Sequence, residues 1–289
     1  MCVVQRVGGF PVAGADLFAG ASLAGAKLDP GVDEDGASHE TEPEPIADAH
    51  GTATGDTESA PGLAVSEDGH RLVADRTVFD PERRARLNFR VVDEDGATVR
   101  DFDVEHERRM HLIVVRRDLS GFQHLHPRMG ADGRWRVRLR IAEAGVYRAY
   151  ADFSAGGRPM TLATDLVVRG PFTPRALPAP APTDRTAGYA AALVADGLEA
   201  GGDAELSYDV RRGAEPVRDI VPYLGADGHL VALREGDLAF LHVHPQESAT
   251  PGRIRFGASL PSAGRYRLFL QFKHDGVVRT VAHTLVVPR

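Results

Sequence analysis

Two stretches, GFQHLHP at 121–127 and AFLHVHP at 239–245, end in the same His-x-His-Pro. Imidazoles can ligate metals, hold hydrogen bonds or carry protons, and spacing narrows the choice. On a strand, residues i and i+2 project to one face, about 7 Å apart by the strand rise. His124 and His126, and likewise His242 and His244, are then close enough to share an ion. A third histidine keeps its place upstream of each pair, His111 in the first copy and His229 in the second. The short turn RRDLSG joins MHLIVV to FQHLHP, which predicts a hairpin folding His111 back toward His124 and His126. The expectation is one three-histidine cluster per copy.

Three neutral imidazoles suit Cu(II), Zn(II) or Ni(II), whereas thioethers suit Cu(I). Met110 and Met160 could add thioethers in the first copy, where the second has Gly228 and Arg279. The second copy instead carries His283 and His274, at positions held by Thr164 and Ala155 in the first. The candidate ligands are therefore His111, His124, His126, Met110 and Met160, then His229, His242 and His244. Copper is the expected ion, with zinc as the other choice. The rival reading is structural. A histidine at a strand end before proline can tie a loop carbonyl with one nitrogen and water with the other, and duplication alone would repeat it. His106, without a counterpart in the second copy, reads as a surface residue.

Enzymatic chemistry is not visible. No Gly-x-Ser-x-Gly, Gly-rich phosphate loop or His-Glu-x-x-His occurs. A cupin site would need a glutamate at a fixed spacing after the second histidine. His126 is followed by PRMGADG, and Glu247 stands one residue short of that spacing. The net charge of −7 over 289 residues argues against a nucleic-acid partner. The lone cysteine, Cys2, excludes a disulfide framework or a thiolate cluster.

The elements that must position the histidines are β-strands in a tandem repeat. MHLIVVRRDLSGFQHLHP (110–127) aligns without a gap to GHLVALREGDLAFLHVHP (228–245). AEAGVYRAYADFSAGGRPMTLATDLVV (142–168) aligns the same way to PSAGRYRLFLQFKHDGVVRTVAHTLVV (261–287), and LNFRVVDEDGATVRDF (87–102) matches LSYDVRRGAEPVRDI (206–220) with one deletion. In RWRVRLRI, Trp135, Val137, Leu139 and Ile141 alternate with Arg134, Arg136, Arg138 and Arg140, placing one face in a core and one outward. That arginine stripe reads as a solvated outer face, with an acidic partner or lipid as the other option. Tyr147, Ala149, Ala151 and Phe153 likewise share a face, as do Tyr266, Leu268, Leu270 and Phe272. Asp-Gly pairs at 95–96, 132–133, 227–228 and 275–276 mark tight turns. Tyr147 and Tyr266 each follow a turn glycine by two residues, as in the tyrosine corner of β-sandwiches.

The predicted fold is all-β, two tandem immunoglobulin-like or cupredoxin-like β-sandwiches after a disordered N-terminal arm. The arm covers 1–66, with 8–28 as a degenerate anchor or export segment. Its acidic stretch, which holds His39 and His50, reads as a solvated tether. The sandwiches cover 67–168 and 189–289. The proline-dense linker 169–188 between them predicts separately folding domains.

The segments HERRMHLIVVRRDLSGFQHLHP and YLGADGHLVALREGDLAFLHVHP give the chain, over roughly 63–287, its family resemblance. It resembles a largely uncharacterised family of actinobacterial secreted or membrane-anchored proteins, similar to extracytoplasmic copper-handling sandwiches. The resemblance implies a secreted or N-terminally anchored protein in heavy-metal homeostasis or resistance, beside a membrane partner of a metal-transport system. A non-metal adhesion or scaffolding pair with structural histidines is the alternative.

Overall fold

Runs rich in Val, Leu, Tyr and Phe with a period of two favour strands, and turn glycines cut them into hairpins. The computed structural model describes residues 61–289, and every regular element in that range is a strand. The first sandwich contains β1 (Ser66–Glu67), β2 (His70–Ala74), β3 (Val78–Phe79), β4 (Glu82–Val92) and β5 (His111–Arg116). It continues with β6 (Gln123–Leu125), β7 (Arg128–Met129), β8 (Trp135–Ile141), β9 (Gly145–Ala155) and β10 (Arg158–Val168). One sheet has the order β1-β2-β4-β8-β7 and the other β3-β10-β9-β5-β6. Only β3 joins its neighbour in parallel, Val78 beside Val167.

The second sandwich contains β11 (Thr183–Thr186), β12 (Tyr189–Asp196), β13 (Gly202–Arg212), β14 (Glu215–Pro216) and β15 (Gly228–Arg234). It ends with β16 (Val243–Gln246), β17 (Arg253–Leu260), β18 (Gly264–His274) and β19 (Val277–Val287). Its sheets run β11-β12-β13-β17-β16 and β15-β18-β19. Two sheets per copy, antiparallel except where β3 joins β10, with β9 and β18 starting at a tyrosine corner, define an immunoglobulin-like sandwich. The corner hydroxyls bond backward as that fold requires, Tyr147 to the Glu143 carbonyl at 3.0 Å and Tyr266 to that of Ser262 at 2.7 Å.

Each sandwich has its own core. Phe89, Trp135 and Leu139 meet Leu112 and Leu162 in the first; Tyr208 and Phe256 meet Leu268 and Phe272 in the second. A third apolar cluster joins the two copies. Ile113, Val115 and Tyr150 face Val231, Leu233 and Phe269 across it. In the repeat alignment these are matching positions, so the same sheet face is used by both copies. The aromatic pairs repeat the correspondence. Phe122 stacks on Phe269 with centroids 4.1 Å apart, and its counterpart Phe240 lies 5.6 Å from Tyr150. The copies thus meet in a pseudo-twofold arrangement within one compact unit.

Two expectations change. The disordered arm predicted through residue 66 ends earlier, because residues 61–65 are tied down by hydrogen bonds outside any strand and Ser66 opens β1. The Phe240 amide bonds the Pro61 carbonyl, and Arg148 donates to the carbonyls of Gly62 and Leu63. Gly62 has φ +74°, and a Cβ there would stand 2.7 Å from Tyr150, so glycine is required where the chain crosses the seam. Residues 1–60, with His39 and His50, lie outside the described residues. The linker is also shorter than expected, because 183–186 form β11. Three of the four Asp-Gly pairs turn with positive φ, at Gly96, Gly133 and Gly276. Gly228 instead opens β15, where Ile254 and the Gln271 carbonyl leave little room for a side chain.

The seam predicts a large cost for truncation. Phe269→Ala removes a ring only 4% exposed and is expected to lose about 3–5 kcal/mol of stability in urea unfolding. An effect below about 1 kcal/mol would show that the copies are not coupled there.

Candidate metal centre between the sandwiches

Strand alternation decides where the histidines point. In β5, Leu112 and Val114 enter the first core, so His111, Ile113 and Val115 face the second sandwich. The predicted hairpin forms, with Ile113 opposite His124. In β15, Leu230 and Ala232 enter the second core, so His229, Val231 and Leu233 face back. His111 and His229 occupy matching positions near the pseudo-axis, and their rings stack 5.7 Å apart at 7°.

The resulting group is one cluster shared by both copies. His111, His124 and His229 each offer a ring nitrogen, all within 4.8 Å of one another. The His126 ring lies 5.1 Å from His111 and 4.9 Å from His124, and its buried Nε2 has no hydrogen-bond partner. His106, read as a surface residue, is exposed yet has its ring 6.2 Å from His111 and 5.8 Å from His229.

Proton positions follow from the partners. His111 Nε2 lies 3.1 Å from the Glu105 carbonyl, which can only accept, so Nε2 carries the proton and Nδ1 presents a lone pair. That Nδ1 is 3.0 Å from His124 Nε2. Two ligands at ~2.0–2.1 Å from one ion stand about 2.9–3.4 Å apart, so this gap suits a shared metal. On its far side His124 Nδ1 meets the Gln271 side-chain oxygen at 2.7 Å. With that oxygen accepting, two lone pairs face each other across 3.0 Å, a repulsion that a cation relieves. With the amide turned over, Gln271 donates to His124, His124 donates to His111, and the Thr280 hydroxyl, 3.3 Å from the amide, donates to Gln271. That second arrangement is a closed neutral relay. Remote N–H groups held by carbonyl oxygens are the usual support of metal-bound histidines.

The electrostatics keep the rings neutral. Burial, followed by repulsion from His229, His111 and His126, holds His124 well below the usual histidine range. Burial and His111 lower His229 to about 3, and burial lowers His126 to about 4. Burial also lowers His111, against its bond to Glu105. Uncharged imidazoles with inward lone pairs are ready ligands without first losing protons.

The cluster opens onto a cleft of about 360 Å3 between the copies, walled by Glu105, His106, Asp152, His242 and His244 among others. Asp152 stands opposite His111 in the β5–β9 register and accepts from Thr161 at 2.8 Å, while burial raises its pKa. Gln271 holds the matching place opposite His229. Both were legible in the repeat, as aligned polar residues on an otherwise apolar face.

Several expected ligands lie elsewhere. Met110 and Met160 are buried in the first core. Met110 precedes His111 in an extended chain and so points to the opposite face. The predicted trio His229, His242 and His244 does not assemble. β6 carries His124 beside β5, but its counterpart His242 lies outside any strand, and His244 sits in β16 against β17, in the other sheet of its sandwich. His242 and His244 pack on each other, centroids 4.1 Å apart, exposed at the cleft. His283 is buried against Tyr208 and bonds the Ala191 carbonyl, and His274 is held between Tyr189 and Asp219.

Fold and cluster define the chain as a tandem immunoglobulin-like sandwich protein with a composite histidine site. It belongs to the family described as a domain of unknown function (DUF8832), which matches at 64–170 and again at 184–289. No curated protein matches the chain. Among solved structures it is similar to FdeC, an Escherichia coli adhesin, at 13% identity over 76% of this chain and 65% of that one, TM-score 0.27. A Salmonella alpha-2-macroglobulin gives 16% identity over 80% of this chain and 15% of that one, TM-score 0.28. Invasin, a bacterial integrin-binding protein, gives 12% over 74% and 38%, TM-score 0.22. The chain spans less than two thirds of each of these structures, and likenesses this distant carry no functional argument.

The depressed pKa values make metal-free protein acid-sensitive. Unfolded histidines titrate near 6.5, so below that pH the unfolded chain binds protons that the folded chain refuses. Stability is therefore full above about pH 6.5 and falls toward pH 4, by on the order of a few kcal/mol. Chelator-treated protein should melt at progressively lower temperature from pH 7 to 4.5, and His126→Leu should flatten the slope. A flat profile in the parent protein would contradict neutral buried rings.

Proposed function

We propose that this chain binds one divalent ion, Cu(II) or Zn(II), between its two sandwiches through His111, His124 and His229, with His126 within reach as a fourth ring. The observation that carries this reading is the convergence of three ring nitrogens from both copies within 4.8 Å. Neutral imidazoles suit Cu(II) and Zn(II), and the burial of both thioethers removes the feature that favoured Cu(I). Such a protein fits metal homeostasis or resistance outside the cytoplasm, secreted or anchored, beside a membrane partner of a metal-transport system. Histidine ligands without thiolates also suit a compartment that oxidises free cysteine.

The second reading is a non-metal adhesion or scaffolding pair. It is favoured by the relay from Thr280 through a turned-over Gln271 amide and His124 to His111, which satisfies the rings of His111 and His124 without an ion.

Competition against a chelator of known affinity separates the two. The metal reading expects one tightly bound equivalent per chain, weakened at least about tenfold by His111→Ala and by His229→Ala separately. The double variant His242→Ala/His244→Ala should retain tight binding. Weak binding, insensitive to His229, supports the scaffold.

A further inference from the structure

The arginine stripe on β8 is part of a broader basic face. Arg136, Arg138 and Arg140 point away from the first core, and all are exposed. The neighbouring strands add Arg86 and Arg90 on β4 and Arg128 on β7. Their register sets like charges side by side, Arg86 opposite Arg138 and Arg128 opposite Arg136. Directly opposed like charges destabilise a sheet. Among the described residues, Arg136 has an ion pair, with Asp132 at 2.6 Å, and the other five have none.

The second copy supplies an internal control. In the repeat alignment Arg86 corresponds to Glu205 and Arg90 to Asp209. There Glu205 pairs with Arg255 at 2.7 Å and Asp209 with Arg253 at 2.8 Å. The same sheet face is therefore neutralised by ion pairs in one sandwich and left cationic in the other, in a chain of net charge −7. A generic solvated face does not account for that asymmetry. The basic sheet packs its inner side on the first core, so this face is turned away from the second sandwich.

We infer that the outer face of the β2-β4-β8-β7 sheet docks on an anionic lipid surface. Guanidinium groups bind phosphate oxygens bidentately, and a broad array without a groove matches a plane of headgroups. Arg86, Arg90, Arg136, Arg138 and Arg140 share the face with Val73 and Asn88, and no aromatic ring stands among them. It therefore lacks the stacking platform that single-stranded nucleic acid uses. With no large apolar side chain to insert, attachment would be peripheral and lost as salt screens it.

The test is co-sedimentation of the full chain with vesicles of equal parts phosphatidylglycerol and phosphatidylcholine, against phosphatidylcholine alone. The variant Arg86→Glu/Arg90→Asp installs the second copy's own residues, so it should fold with a melting temperature no lower than the parent's. It is expected to lose at least about tenfold in binding to anionic vesicles. Arg211→Glu/Arg218→Asp, with the same change in net charge on the second sandwich, should keep binding within about twofold. Binding by the parent should disappear as salt rises from about 0.05 to 0.5 M. Absence of vesicle binding overturns the inference, as does equal loss in both variants. Capture by duplex DNA or heparin but not by vesicles overturns the lipid assignment.

Discussion

Everything at the centre of this molecule depends on burying the second face of one sheet in each copy. An isolated sandwich needs one apolar face per sheet. Here β5 and β15 are apolar on both, and the outward faces close on each other through Phe122 and Phe269, Tyr150 and Phe240. Because the copies are related by repeat, the contact is pseudo-twofold, and any residue near the axis meets its own counterpart. His111 and His229 meet for that reason.

The seam also sets the chemistry. Imidazoles on an exposed sheet would be solvated and would titrate near neutrality. Held at the rim of an apolar interface they stay neutral, and the outer ring nitrogens of His111 and His124 are fixed by the Glu105 carbonyl and by the Gln271 side chain. The cost is acid sensitivity, since the folded state must refuse protons that the unfolded chain accepts. A metal at the centre needs a lone pair on both facing nitrogens, whereas the neutral relay would put a proton on His124 Nε2, so ion binding and the relay are competing states of one network.

Much of the architecture was legible in sequence because it rests on local rules. Alternation in RWRVRLRI, the tyrosine corners and the repeat are visible residue by residue. The composite site was less legible, because it depends on which sheet face meets which partner. LIVV and LVAL are unbroken apolar runs, and that lack of alternation was the available sign of burial on both faces. Spacing within each copy, taken alone, predicts a separate cluster in each. His244 breaks the repeat for a register reason: β16, which holds it and directly follows His242, pairs with β17 rather than with β15. Met110 could have been excluded by the alternation that places His111.

The central claim is that a metal ion is held jointly by the two copies. Anomalous diffraction from a crystal of the full chain soaked with Cu(II) or Zn(II) tests it most directly. The expected result is one strong site, about 2.0–2.1 Å from His111 Nδ1, His124 Nε2 and a ring nitrogen of His229. Separate ions within each sandwich, or a relay left intact with no ion bound, would contradict it.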